Sequence, residues 1–111
     1  MSNNSAFSPF GPTYLVGLTP VQVNSTLNNN PTSYRVRNLT TAPVYFSWAA
    51  PLVNNVAPVI PTVTPPTAGN PSAFTLAVLG SSAESFSGLP PNAYFQANTA
   101  ASLEITAGEG I

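Results

Sequence analysis

Apolar and polar residues alternate with a period of two along most of this chain. The clearest case runs from Ser33 to Trp48. Tyr34 and Val36 alternate with Arg35 and Arg37, which puts an apolar and a charged face on one strand. Val44, Phe46 and Trp48 alternate with Tyr45 and Ser47 in the same way. Between the two runs, Asn38, Thr40, Thr41 and Pro43 supply turn chemistry, since Asn tolerates left-handed backbone and Pro presets φ. The spacing predicts a hairpin at the centre of the fold.

Shorter strand patterns flank it. Tyr14–Val16 and Val21–Val23 precede it, separated by Gly17 and Pro20, and Asn28–Pro31 reads as a loop. Later come Phe74–Val78, a turn at Gly80–Ser82, Ser85–Ser87, Tyr94–Asn98 and Ser102–Thr106, the last with Leu103 and Ile105 inward and Glu104 outward. No segment shows sustained helical periodicity. About eight short strands with regularly spaced turn signals predict an all-β protein, a small β-sandwich or jelly roll. One domain spanning residues 1–111 suits the length, and a chain of this size buries roughly two thirds of its unfolded surface.

Two stretches break the pattern. Residues 1–12 read as an extended arm, where Phe7 and Phe10 lie among small polar residues and Pro9 and Pro12 oppose a regular element. Its two Phe rings either fold back onto their own core or, with Tyr14, dock on a neighbouring subunit. Residues 50–72 form a Pro-rich loop that also carries Leu52, Val53, Val56, Val59, Ile60 and Val63. The prolines forbid helix and central strand, while the aliphatics exceed what a linker needs. Either the loop packs over an open end of its own sandwich, or it lays Leu52, Val56, Val59, Ile60 and Val63 on a partner from a polyproline-like backbone.

Composition narrows the chemistry. Charged residues make up 5% of the chain, against about a quarter in ordinary soluble domains. They are Arg35, Arg37, Glu84, Glu104 and Glu109. Two arginines make no basic stripe for nucleic acid and no patch for anionic lipid. No apolar run is long enough to span a bilayer as a helix. There is no Cys and no His, so disulfides, thiolate metal sites and the usual general base are missing. Ser has no His or Lys to activate it. The three glutamates are far apart in sequence, with Glu84 expected at a turn and Glu109 in a Gly-rich tail, so neither a carboxylate pair nor a cation cluster is expected. The expectation is a non-enzyme with no metal, cofactor or small-molecule substrate. Sequons at Asn3, Asn24 and Asn38 are what an Asn/Ser/Thr-rich chain produces by chance.

Arg35 and Arg37 share one strand face. They either blunt an edge strand or pair with carboxylates on a partner, for which the planar guanidinium is better suited than Lys. Tyr34, Tyr45, Trp48, Tyr94 and Phe95 could also form a sugar-stacking platform. That leaves a receptor- or carbohydrate-binding module of a fibre or surface assembly as an alternative function.

Three segments carry a family resemblance: Tyr34–Leu39 with Val44–Phe46, Glu84–Pro91, and Leu103–Ile111. In length and order they resemble the capsid decoration, or stapling, proteins of epsilon15-like short-tailed phages, over residues 33–111 with the Pro-rich loop as an insertion. The resemblance implies a structural, jelly-roll virion protein on the outer surface of an icosahedral head, assembled in the host cytoplasm. Its implied partners are the major capsid protein and a second copy of itself in a homodimer, and its implied role is to cement the expanded shell. It implies no catalytic residues.

Overall fold

The period-two segments do become strands. A computed structural model of the chain describes residues 7–26, 31–71 and 75–109. The strands are β1 (Ser8–Val16), β2 (Val21–Gln22), β3 (Ser33–Asn38), β4 (Val44–Ala49), β5 (Leu76–Val78), β6 (Ala83–Phe86), β7 (Tyr94–Ala97) and β8 (Leu103–Glu109), with a short 3-10 turn at Val53–Asn55. They form two antiparallel four-stranded sheets. Sheet A has the order β1-β8-β3-β6 and sheet B the order β2-β7-β4-β5. The chain crosses between the sheets at every connection except β4–β5, and that strand order is the jelly roll.

The core lies between the sheets. Sheet A contributes Val16, Tyr34, Val36, Leu103 and Ile105, and sheet B contributes Val44, Phe46, Val78, Phe95 and Ala97. Aromatic rings tie the layers together. Tyr34 meets Phe95 edge-on with centroids 4.9 Å apart, and Phe46 meets Phe86 at 5.3 Å. Edge-to-face contacts of this kind place the positive rim of one ring on the negative face of another. The buried Tyr34 hydroxyl donates to Pro90 O at 2.6 Å and accepts from Ala93 N at 3.2 Å, so its polar end is satisfied inside the core.

The structure corrects four expectations. Residues 33–48 are not a hairpin. β3 pairs with β6 and β8, whereas β4 pairs with β5 and β7, so the chain arches from one sheet to the other. The arch is held by Asn38, whose amide donates to Ala42 O at 2.8 Å, Val78 O at 3.0 Å and Leu79 O at 3.2 Å. These bonds take the place of the ladder a hairpin would have formed.

Second, residues 8–12 of the expected arm belong to β1, which pairs with β8. Pro9 and Pro12 fit because β1 is the edge of sheet A, with a register shift between Pro9 and Thr13. Residues 1–6 lie outside the described residues. Third, Glu84 sits within β6 rather than at a turn, and Glu109 ends β8 opposite Ser8. Fourth, β3 is an interior strand, so Arg35 and Arg37 do not blunt an edge.

Candidate functional site

Two surfaces stand apart from the core. One is the outer face of sheet B, crossed by the Pro-rich segment that joins β4 to β5. Ser47 and Gln96 point outward from this sheet yet are buried. Gln96 Nε2 donates to Pro61 O at 3.2 Å, and Ile60 and Val63 are both buried. The segment is therefore a strap packed on its own domain, not over an open end and not free for a partner at these positions. A cavity of about 440 Å³ remains beneath it, lined by Trp48, Ile60 and Thr62 among others.

The rest of the strap faces outward. Val59 is 93% exposed and Val53 84%, and Leu52 and Val56 are both more than half exposed. Leu52 and Val56 form an isolated bridge closed by Leu52 N donating to Val56 O at 2.8 Å. Inside that bridge Asn54 and Asn55 both adopt positive φ, 63° and 59°. Asn accepts this region more readily than other L-residues, and the result is a tight apolar crest raised from the sheet. Gln22 Nε2 donates to Asn55 Oδ1 at 2.9 Å and tethers the crest to β2.

The second surface is the outer face of sheet A. The register places Thr13, Thr106, Arg35 and Ser85 in one row across the sheet, and Leu15, Glu104, Arg37 and Ala83 in the next. The face carries an open groove of about 670 Å³. Arg37 Nη1 and Glu104 Oε1 are 3.7 Å apart, an exposed and loose pair worth little to stability. Arg35 is exposed and has no carboxylate partner among the described residues. Thr13 and Thr106 share a 2.7 Å hydroxyl contact on the floor. Phe7 closes one end, its ring lying over Gly108; a Cβ on that glycine would come within 2.7 Å of Phe7 Cζ.

The site residues read from the sequence are thus divided. Arg35 and Arg37 meet in the sheet A groove with Phe7, while Leu52 and Val56 pair on the strap crest and Val59 stands exposed further along the strap. Ile60 and Val63 are core-like, Tyr14 packs against the core, and Phe10 is half-buried in β1, where its carbonyl accepts from Thr26 N at 2.8 Å and Ser25 Oγ at 3.0 Å. The rings considered for sugar stacking do not form a platform. Tyr34 and Phe95 are core, Trp48 packs against it, and Tyr45 and Tyr94 lie at opposite ends of the β4–β7 ladder. Val53, Glu104, Thr13 and Thr106 were not singled out in the sequence as site residues. Val53 has the same pattern signal as Leu52, but the other three join the surface only through strand pairing.

Among the described residues no three of His, Cys, Asp and Glu come together, and no helix is long and apolar enough to cross a membrane. Comparison with family models, characterised proteins and solved structures finds no match for this chain.

Proposed function

We propose that this chain is a structural virion protein that decorates and reinforces an icosahedral phage head by binding across major capsid protein subunits, as a homodimer on the outer surface. The observation that carries this proposal is the strap crest: Leu52, Val53, Val56 and Val59 are held out in solvent by a segment whose other half is anchored. Exposed apolar side chains of this kind on a rigid mount suit an interface with another protein. The nearly uncharged surface fits contacts that do not depend on ionic strength. Many copies on one shell then gain avidity from modest contacts. The resemblance of residues 33–111 to head-stapling proteins supports the same role.

Co-sedimentation with expanded, undecorated heads of an epsilon15-like phage tests it. Saturable binding, equal in low and high salt, is expected for the native chain. The double substitution Val53→Ser and Val59→Ser is expected to weaken that binding at least ~10-fold while leaving stability within about 0.5 kcal/mol, as for other exposed positions. Binding lost only in high salt would shift the contact to Arg35 and Arg37. No binding in either condition would reject the proposal.

A further inference from the structure

The sheet A groove has a composition that an apolar protein interface does not need. It combines a guanidinium at Arg35 that has no carboxylate partner among the described residues, a carboxylate at Glu104 already engaged on one side by Arg37, hydroxyls at Thr13 and Thr106, and the ring of Phe7 at one end. We infer that this groove binds an acidic sugar, a monosaccharide unit of uronic-acid type carrying one carboxylate.

Each component has a counterpart on such a ligand. The planar fork of Arg35 matches a carboxylate, and no described residue competes for it. Thr13 and Thr106 lie in the row beside Arg35; Thr106 is buried and bonded to Thr13, and Thr13, the exposed partner, turns its remaining hydrogen-bonding capacity to the groove. Glu104 accepts hydrogen bonds and offers nothing to a second anion. Phe7, fixed over Gly108, presents an apolar ring to the C–H face of a sugar. The volume, about 670 Å³, suits one or two sugar units.

Glu104 also separates a sugar from an acidic protein segment. A run of carboxylates entering the groove would meet Glu104 as a like charge. A sugar with a single carboxylate at Arg35 instead brings hydroxyls to Glu104, which that side chain can accept. The groove lies on the sheet opposite the strap crest, so head binding through the crest leaves it open, and the sugar test on the isolated chain reads the groove alone.

The test is an NMR titration of the isotope-labelled full chain with D-glucuronate, with D-glucose, glutarate and a hexaglutamate peptide as comparisons. Glucuronate is expected to shift the Thr13, Arg35 and Thr106 amides saturably, with a Kd in about the millimolar range. Glucose and glutarate are each expected to bind at least ~10-fold more weakly, because each supplies half of the recognition. Arg35→Ala should abolish glucuronate binding, its fold being checked by thermal melting. Glu104→Gln gives a second, opposed readout: glucuronate should weaken while glutarate strengthens. Absence of saturable shifts in the groove, glutarate or the peptide binding as tightly as glucuronate, or a Glu104→Gln variant that strengthens both anions would each overturn the inference.

Discussion

Tyr34 does two jobs with one side chain. Its ring fills the core against Phe95, and its hydroxyl bridges Pro90 and Ala93 in the β6–β7 connection. Burial pushes its pKa above the ordinary 10.0, and the backbone hydrogen bonds from Ala93 and Asn92 only partly offset this. A pKa raised on folding means the folded state keeps the proton longer than the unfolded state. This contribution to stability is therefore fully present below pH 10 and is lost as pH rises from there through the folded value. Alkaline unfolding followed by circular dichroism should show stability falling above about pH 10. Tyr34→Phe should lose about 1–2 kcal/mol at neutral pH, because Ala93 N and Pro90 O lose their partner, and should flatten the alkaline fall. An unchanged alkaline profile in that variant would place the titration elsewhere.

At the scale of elements, the connections matter more than the strands. Asn38 ends β3 and fastens two crossovers at once, since Ala42 belongs to the β3–β4 arch and Val78 and Leu79 to the exit of β5. Its Oδ1 also accepts from Thr40 N and Thr40 Oγ1, both at 2.8 Å. The side chain is buried with every polar atom engaged, so the sequon at Asn38 is closed to modification in the folded protein. Gly80 permits the same join from the other side, because a Cβ there would run into the Thr41 carbonyl. Asn38→Ala should cost about 2–3 kcal/mol in urea unfolding, because the buried Val78 carbonyl loses this donor and the Thr40 groups lose their acceptor, while Ala42 O and Leu79 O keep the Thr40 and Ser82 hydroxyls. Asn38→Asp should cost more, since a carboxylate would face those same carbonyls. Equal stability of the Asp variant and the native chain would mean the amide donors are not needed.

For the whole molecule, topology sets both the shape and the rate of its formation. β1, the first strand, pairs with β8, the last, and β3 completes its ladders only when β6 and β8 arrive. Nearly all pairing is therefore between distant parts of the chain. Such folds close their loops before any long-range contact rewards them, and they fold slowly. Stopped-flow refolding monitored through Trp48 should give a main phase in the range of milliseconds to seconds. A microsecond phase carrying the full amplitude would contradict the β1–β8 and β3–β8 pairings. The same topology segregates two outer faces: sheet B carries a strap with an apolar crest, and sheet A carries the only two arginines of the chain in a polar groove.

The all-β class, most strands and the inward set Tyr34, Val36, Phe46, Leu103 and Ile105 were legible in the sequence by itself. Each rests on alternation, which is a local property of an extended backbone. The residues between strands were legible as turns for the same local reason. What sequence could not carry is which strand lies beside which. Asn38, Thr40 and Pro43 signal a change of direction, but the same signals serve a hairpin and an arch between sheets; the buried amide of Asn38, reaching carbonyls of β5, chooses the arch. Proline argued against strand at Pro9 and Pro12, yet an edge position leaves their missing N–H groups without consequence. In the strap, Val59 and Ile60 look alike in sequence, and only packing against sheet B buries Ile60 and leaves Val59 exposed. The groove depends on Arg35 lying beside Thr106 and Arg37 beside Glu104. Those neighbours are far apart in the chain and adjacent in space, so tertiary pairing alone decided them.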